Sequence, residues 1–112
     1  MHPTKQRKEM NSRPPFDNSP FVRRIRKAIA IHAPFDGKLR VSVADEAKWE
    51  KSSEGDEVLV RWVCWNLIKD GVELIEPSFE VLSDKITREQ LMNDLPLMFP
   101  AVDVEVDNLI EV

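Results

Sequence analysis

The chain of 112 residues carries a net charge of −4 at neutral pH, with 42% hydrophobic and 32% charged residues. This composition is typical of one globular domain and excludes a low-complexity chain. The longest nearly apolar run, residues 58–68, is too short and too polar to cross a bilayer, which needs about 20 apolar residues. Because the first ten residues contain no apolar signal-peptide segment, we expect a cytoplasmic protein.

The charge is unevenly distributed along the sequence. Residues 1–40 contain ten Lys or Arg and three Asp or Glu, whereas residues 41–112 contain six and seventeen. Residues 1–18 place basic side chains among Asn, Ser and Pro without a hydrophobic period, which is typical of a solvated terminus. We therefore predict a flexible basic tail over residues 1–18 and a single domain over residues 19–112, with a basic arm on an acidic body.

A helix is predicted over residues 20–32. Ser19 fits the N-cap and Pro20 the first helical position, and Pro34 ends the segment. Apolar side chains recur at steps of three and four on one side, and four basic side chains occupy the other. The alternative interpretation is a strand over residues 28–33.

The first predicted strand covers residues 38–44. Leu39, Val41 and Val43 alternate with polar residues, which indicates a strand with one buried face. The polar segment 45–57 that follows is expected to be a loop, with one helical turn near residues 47–49 and with Trp49 covering an edge of the core.

Residues 57–82 are predicted to form a long antiparallel hairpin around which the rest of the chain is organised. Two β-branched arms flank a tight turn at 69–71, where Gly71 can take a positive φ. Both faces of the first arm are mostly apolar, so we expect a central strand covered on both sides, or on one side by a second subunit. Pro77 marks a bulge or an edge position in the return arm. A helix over residues 56–69 is the alternative, because short apolar runs are ambiguous by period.

The last third is predicted to contain a helix and a final strand. Thr87 and Gln90 have capping-box spacing, which opens a helix over residues 87–95 of about two turns before Pro96. Residues 101–106 alternate valine with acidic residues, which is typical of an edge strand with a charged outer face. The predicted fold is α+β: an antiparallel sheet of about four strands, near 38–44, 57–68, 72–82 and 101–106, with two short helices on one face.

The residue patterns typical of catalytic or metal sites do not stand out in this sequence. The metal-binding spacings, calcium loops and phosphate loops of known motifs do not occur. Cys64 and His32 both lie on predicted apolar faces, whereas a reactive thiolate needs a polar and electropositive site. We therefore predict no catalytic residue, no metal and no cofactor, and expect a protein that is not an enzyme.

Protein binding is the function that the charge pattern favours. The acidic face of the last strand can attract a basic partner, and tryptophans are enriched where interfaces bind tightly. Because Trp62 and Trp65 fall on opposite faces of one strand, one can belong to the core while the other meets a partner. The predicted partner-binding residues are Trp62, Trp65, Asp103, Glu105 and Asp107. The expected partner is a protein, either a basic one or a second copy of the chain.

Nucleic-acid binding is the alternative function. The basic first third of the chain could follow a phosphate backbone, since such binding depends mainly on charge. The residues nominated for it are Arg13, Arg23, Arg24, Arg26 and Lys27. Two features argue against it: the acidic body would repel a polyanion, and no helix-turn-helix pattern follows the basic segment.

Overall fold

The computed structural model describes residues 19–109 of the chain. The predicted tail over residues 1–18, including Arg13, lies outside the described residues. The elements in chain order are α1 (Pro20–Ile31), β1 (Lys38–Val43), β2 (Lys48–Lys51), β3 (Glu57–Lys69), β4 (Val72–Glu73), β5 (Ser78–Ser83), α2 (Arg88–Met98) and β6 (Asp103–Asn108).

One six-stranded sheet is built around β3. Strands β1 and β2 pair antiparallel with one edge of β3, and β4 and β5 pair antiparallel with its other edge. Strand β6 lies beyond β1 and runs parallel to it, with Lys38 opposite Asp103 and Arg40 opposite Glu105. The strand predicted over residues 57–68 is confirmed as central, and the alternative helix there is wrong.

The predicted antiparallel sheet of four strands is wrong, because the sheet is mixed and has six strands. One reason is β6, whose parallel direction follows from the return of the chain through α2; alternation alone does not reveal strand direction. The other reasons are the strand β2 and the division of the predicted arm 72–82 into β4 and β5. The fold remains α+β.

The segment 45–57 is not the loop that we predicted. It contains β2, and Trp49 on this strand is 65% exposed rather than covering the core. The cause is the length of β3, whose thirteen residues extend past the six-residue β1. Residues 57–60 of β3 pair instead with β2, which satisfies backbone groups that β1 cannot reach.

The predicted turn after β3 is confirmed as a two-residue hairpin loop. Asp70 and Gly71 have φ values of 55° and 78°, and Lys69 pairs with Val72 across them. Two positive φ values in a two-residue loop identify the type I′ turn, whose twist matches that of the strands. The return arm predicted over residues 72–82 is divided into two strands, because residues 74–77 face only residues 66–67 of β3, and this interruption is the bulge that was one of the two alternatives predicted at Pro77. Pro77 lies in this bulge, and the two extra residues keep the inward and outward positions of β5 unchanged.

Both helices pack on the same face of the sheet, as predicted. The inward residues of β1 and β3 form one buried cluster with residues of α1 and α2. The members of this cluster from the helices are Phe21, Val22, Ile25, Leu91 and Leu95. At the helix starts, Ser19 Oγ accepts from Val22 N at 3.3 Å and Thr87 Oγ1 accepts from Gln90 N at 3.1 Å. The second helix is longer than predicted and continues through the exposed Pro96 to Met98.

Gly37 is held at a close backbone contact that leads into β1. A Cβ atom at this position would lie 2.3 Å from the carbonyl oxygen of Ile68, which pairs with Lys38. We expect Gly37→Ala to lower the free energy of unfolding by about 1–3 kcal/mol, because the sheet must shift to admit the methyl group.

The control for this substitution is Gly55→Asn. Gly55 has a φ of 91° and open space around the position of a Cβ atom, and Asn tolerates positive φ better than most residues. We expect a loss below about 1 kcal/mol for this variant. Urea unfolding of both variants measures the difference, and equal losses would contradict the steric argument.

Candidate protein-interaction surface

The sheet has one face that neither of the described helices covers, and we call it the uncovered face. It consists of the strand residues whose side chains alternate with the buried cluster. Its β3–β5 part, the apolar half, carries Val58, Val60, Trp62, Cys64, Phe79 and Val81. Its β1–β6 part, the charged half, carries Lys38, Arg40, Ser42, Asp103, Glu105 and Asp107. The sequence predicted that both faces of β3 are covered. Within residues 19–109 only the helices provide such a cover, on one face.

The apolar half contains side chains that are unusually exposed for their size. Phe79 is 60% exposed, Val81 47% and Val58 39%. They lie beside Trp62 and Cys64 on β3, since Phe79 pairs with Cys64 and Val81 with Trp62. Single exposed apolar residues are ordinary, but a contiguous group on one face is characteristic of a surface that binds something.

The two predicted tryptophans lie on opposite faces of β3. Trp65 is 3% exposed in the core, where its Nε1 donates to Glu80 Oε2 at 3.3 Å. Trp62 is half-buried on the uncovered face, and its Nε1 donates to Glu50 Oε2 at 3.2 Å. Trp62 is thus placed where it can contact a partner, while Trp65 stabilises the fold.

The predicted acidic residues form a row on β6 at the edge of the sheet. Lys38 Nζ donates to Glu105 Oε1 at 2.8 Å, and Arg40 Nε lies 3.8 Å from the same oxygen. Ser42 Oγ donates to Asp107 Oδ1 at 3.1 Å. Strand β1 therefore already supplies partners for two of the three acidic residues.

The basic residues of α1 lie on the helix side of the sheet and not on the uncovered face. Arg23, Arg24, Arg26 and Lys27 are all exposed. Arg24 forms an ion pair with the buried carboxylate of Glu80, and the Arg26 guanidinium lies 5.9 Å from the centre of the Phe99 ring. The four basic residues of α1 thus lie on the opposite side of the sheet from Trp62, Asp103, Glu105 and Asp107.

Cys64 and His32 do not form a catalytic pair. His32 caps the C-terminus of α1 on the helix side, whereas Cys64 projects from the uncovered face. Burial raises the pKa of the Cys64 thiol. A raised pKa keeps the sulfur protonated at neutral pH, which makes it a poor nucleophile.

Arg61 is a structural residue that sequence reasoning did not single out. Its Nε donates to Ile86 O at 2.7 Å, and its Nη2 to Asp84 O at 3.1 Å. Its Nη1 donates to Ala44 O at 3.1 Å and to Asp45 O at 2.7 Å. One guanidinium thereby joins the β1–β2 connection to the β5–α2 connection.

Glu80 is the second residue that was missed. It is 7% exposed and accepts from Trp65, from Ser78 Oγ at 3.1 Å and from Arg24. Because Glu80 lies on β5 and its carboxylate binds Arg24 of α1, it holds the helix beside this strand. A sequence signal for both residues did exist. Arg61 and Glu80 are charged residues at inward positions of otherwise apolar strands, and a buried charge indicates that partners are present in the fold.

An open cavity lies beside Arg61 at the start of α2. Its volume is about 520 Å³, and it is lined by Ala44, Asp45, Arg61, Thr87, Arg88, Glu89 and Met92. The Arg61 donors are directed to backbone carbonyls, and the Thr87 hydroxyl is engaged as the helix cap. Two of the polar groups that line the cavity are therefore already engaged within the chain.

Metal sites and known relatives give no further assignment. Within residues 19–109, no three His, Cys, Asp or Glu side chains are grouped as a metal site requires. No helix in this part of the chain has the length and apolar character needed to span a membrane. Comparison with protein-family models, curated protein sequences and solved structures finds no match for this chain.

The Arg61 contacts predict a large loss of stability on a conservative substitution. In Arg61→Lys a single ammonium group replaces a planar fork that reaches four carbonyls, so several of these oxygens lose their donor. We expect the free energy of unfolding to fall by about 2–4 kcal/mol. The control is Arg40→Lys on the charged half, for which we expect a change within about 0.5 kcal/mol. Thermal and urea unfolding test this, and similar values for both variants would refute the role of Arg61.

The contact with Lys38 predicts a measurable effect on Glu105. The hydrogen bond from Lys38 is the main reason that the pKa of the Glu105 carboxyl lies below its usual value. A carboxyl whose pKa is lowered by folding stabilises the folded state at pH values above its usual pKa. This stabilisation is lost as the pH falls through the pKa of the folded state. In Lys38→Met we expect the pKa of Glu105 to rise towards its usual value, as followed by NMR titration of the side-chain carboxyl.

Lys69→Met is the matched control for this titration. Lys69 forms an ion pair with Asp36, and a hydrogen bond from Lys69 is the main reason that the pKa of Asp36 is lowered. We expect this variant to raise the pKa of Asp36 and to leave that of Glu105 unchanged. A Glu105 pKa that does not move in Lys38→Met would show that the ion pair does not form in solution.

Proposed function

We propose that this chain is a non-catalytic, cytoplasmic protein-interaction or regulatory module that binds another protein chain through its uncovered face. The observation that carries the proposal is the apolar half, where Phe79 and Val81 are exposed beside the half-buried Trp62. An aromatic residue flanked by aliphatic ones on a rigid sheet matches the anchor that protein interfaces use.

The chemistry of the partner follows from both halves of the face. Its main contact is apolar, to match the apolar half. At the rim, Asp103 is exposed, and the acidic row of β6 accepts basic side chains where Lys38 and Ser42 have not already satisfied it. The partner is therefore an apolar surface, with a basic rim where it meets the acidic row of β6; a second copy of the chain supplies the apolar surface.

Nucleic-acid binding is the second candidate function. The specific observation that favours it is the exposure of four basic side chains on α1, a helix that contains no acidic residue. Against it, the charge of Arg24 is offset by Glu80 and Arg26 packs against Phe99. The first proposal is favoured because Phe79 and Val81 of the apolar half remain largely exposed among the described residues.

A pull-down with the immobilised full chain tests the proposal. The bait is exposed to an extract of the source cells at about 0.05 M and about 0.5 M salt, because high salt screens charge contacts and spares apolar ones. We expect a protein retained in stoichiometric amount at both salt concentrations. Trp62→Ala and Phe79→Lys should each weaken its retention by at least about tenfold.

The control variant is Leu97→Lys, which places the same charge at a 78% exposed apolar residue of α2. It should retain the partner as the natural chain does. A nucleic acid retained only at low salt, and released in a Lys27→Gln variant, would support the second candidate. Retention of no partner at either salt concentration would refute the proposal unless the chain pairs with itself.

A further inference from the structure

The two halves of the uncovered face differ in how well the chain itself satisfies them. In the charged half, Glu105 is paired with Lys38 and Asp107 accepts from Ser42. In the apolar half, Phe79 and Val81 project into solvent from β5, and none of residues 19–109 covers them. The burial still lacking on this face is therefore apolar and is confined to its β3–β5 side.

A second copy of the chain can cover this surface only in one general arrangement. In a two-fold interface both copies contribute the same patch. Residues close to the axis contact the same residues of the other copy, and residues further from the axis contact different residues of that patch. An apolar patch is complementary to itself, whereas burying the charged half would desolvate side chains that already have partners within the chain. The axis must then pass through the apolar half and leave the two acidic rows at opposite rims.

We propose that the chain forms such a homodimer, with the apolar half of one copy packed on the apolar half of the other. This inference rests on the interaction surface proposed above and identifies its occupant. It also accounts for the apolar character of both faces of β3, because one face is covered by the helices and the other by the second copy.

The area available is sufficient for a weak dimer. A large side chain has a surface area of about 150–250 Å² when it is free. On this scale, the exposed surface of the apolar half amounts to about 400 Å² per copy, mostly from Phe79, Val81 and Val58. Interfaces are only about 57% apolar overall, so two copies with their polar rim would bury about 1,400 Å². This lies at the lower end of the range of specific interfaces, about 1,200–2,000 Å². We therefore expect dissociation at micromolar concentrations.

The arrangement fixes which residues approach their copies. Phe79, Cys64 and Ser42 lie in one row across β5, β3 and β1. Packed sheets are about 10 Å apart and strands about 4.8 Å apart. The axis runs along the strands, midway between the two packed sheets and between β5 and β3. Measured across the strands, the two Cys64 residues are then offset by one strand spacing and the two Ser42 residues by about three.

Sedimentation velocity of the full chain, from about 1 µM to about 1 mM, measures the association. We expect the mass to rise from 13.0 kDa towards twice that value. Phe79→Lys should weaken dimerisation by at least about tenfold, because it buries a charge at the centre of the interface. Leu97→Lys, on the helix side, should leave it unchanged. Circular dichroism establishes that both variants are folded.

Cross-linking at Cys64 tests the position of the axis. At mildly alkaline pH, which ionises more of the Cys64 thiol, a bismaleimide with a reach of about 8 Å should join two copies of the natural chain through Cys64, whose separation is set by the sheet and strand spacings. In the Cys64→Ser/Ser42→Cys variant the two thiols are too far apart, so we expect little cross-linking. Reaction at both positions with equal yield would overturn the proposed arrangement.

The outcomes separate this inference from the proposed function. A monomer at every concentration overturns the homodimer. If Phe79→Lys then still abolishes retention of another protein in the pull-down, the interaction surface stands and its occupant is that protein. If it abolishes nothing, both proposals fail. A dimer that Leu97→Lys disrupts and Phe79→Lys does not would place self-association on the helix side and would also overturn the inference.

Discussion

The length of β3 is the constraint on which the rest of the structure depends. Its thirteen residues present backbone donors and acceptors along two edges, and all other strands but β6 pair with it directly. No neighbour is long enough to satisfy a whole edge, so each edge is shared between two shorter strands. This division explains β2 on one side and the bulge between β4 and β5 on the other.

The alternation of side chains along β3 then decides the chemistry of the two faces. Residues 63, 65 and 67 point towards the helices and enter the core, where all three are at most 3% exposed. Residues 62 and 64 point the other way and remain half-buried. A sequence that is apolar at both sets of positions needs a cover on each face, and only one cover comes from residues 19–109. The binding hypothesis follows from this imbalance.

Local chemistry made several elements predictable from the sequence. Ser19 and Thr87 cap helices because a short hydroxyl side chain can accept from a free backbone N–H, and this requires no tertiary information. Asp70 and Gly71 form the turn for a similar local reason, since both tolerate a positive φ. The opposite orientation of Trp62 and Trp65 followed from strand periodicity alone.

The features that could not be predicted depend on pairing between distant segments. The direction of β6 is set by the return path of the chain through α2, and an alternating pattern is the same for either direction. β2 was missed because Lys48–Lys51 is polar and exposed on both faces, so it has no hydrophobic period. It is a strand only because residues 57–60 need partners. The roles of Arg61 and Glu80 likewise depend on backbone and side chains that are distant in the sequence.

The structure also changes the meaning of the charge asymmetry along the chain. The sequence suggested a basic arm on an acidic body, but part of the basic charge lies directly beside acidic residues. Arg24 pairs with Glu80 across α1 and β5, and Lys38 pairs with Glu105 across β1 and β6. Charges already compensated within the chain contribute little to long-range attraction of a partner. The binding proposed at the uncovered face would then draw mainly on apolar burial at Phe79 and its neighbours, which persists where salt screens charge.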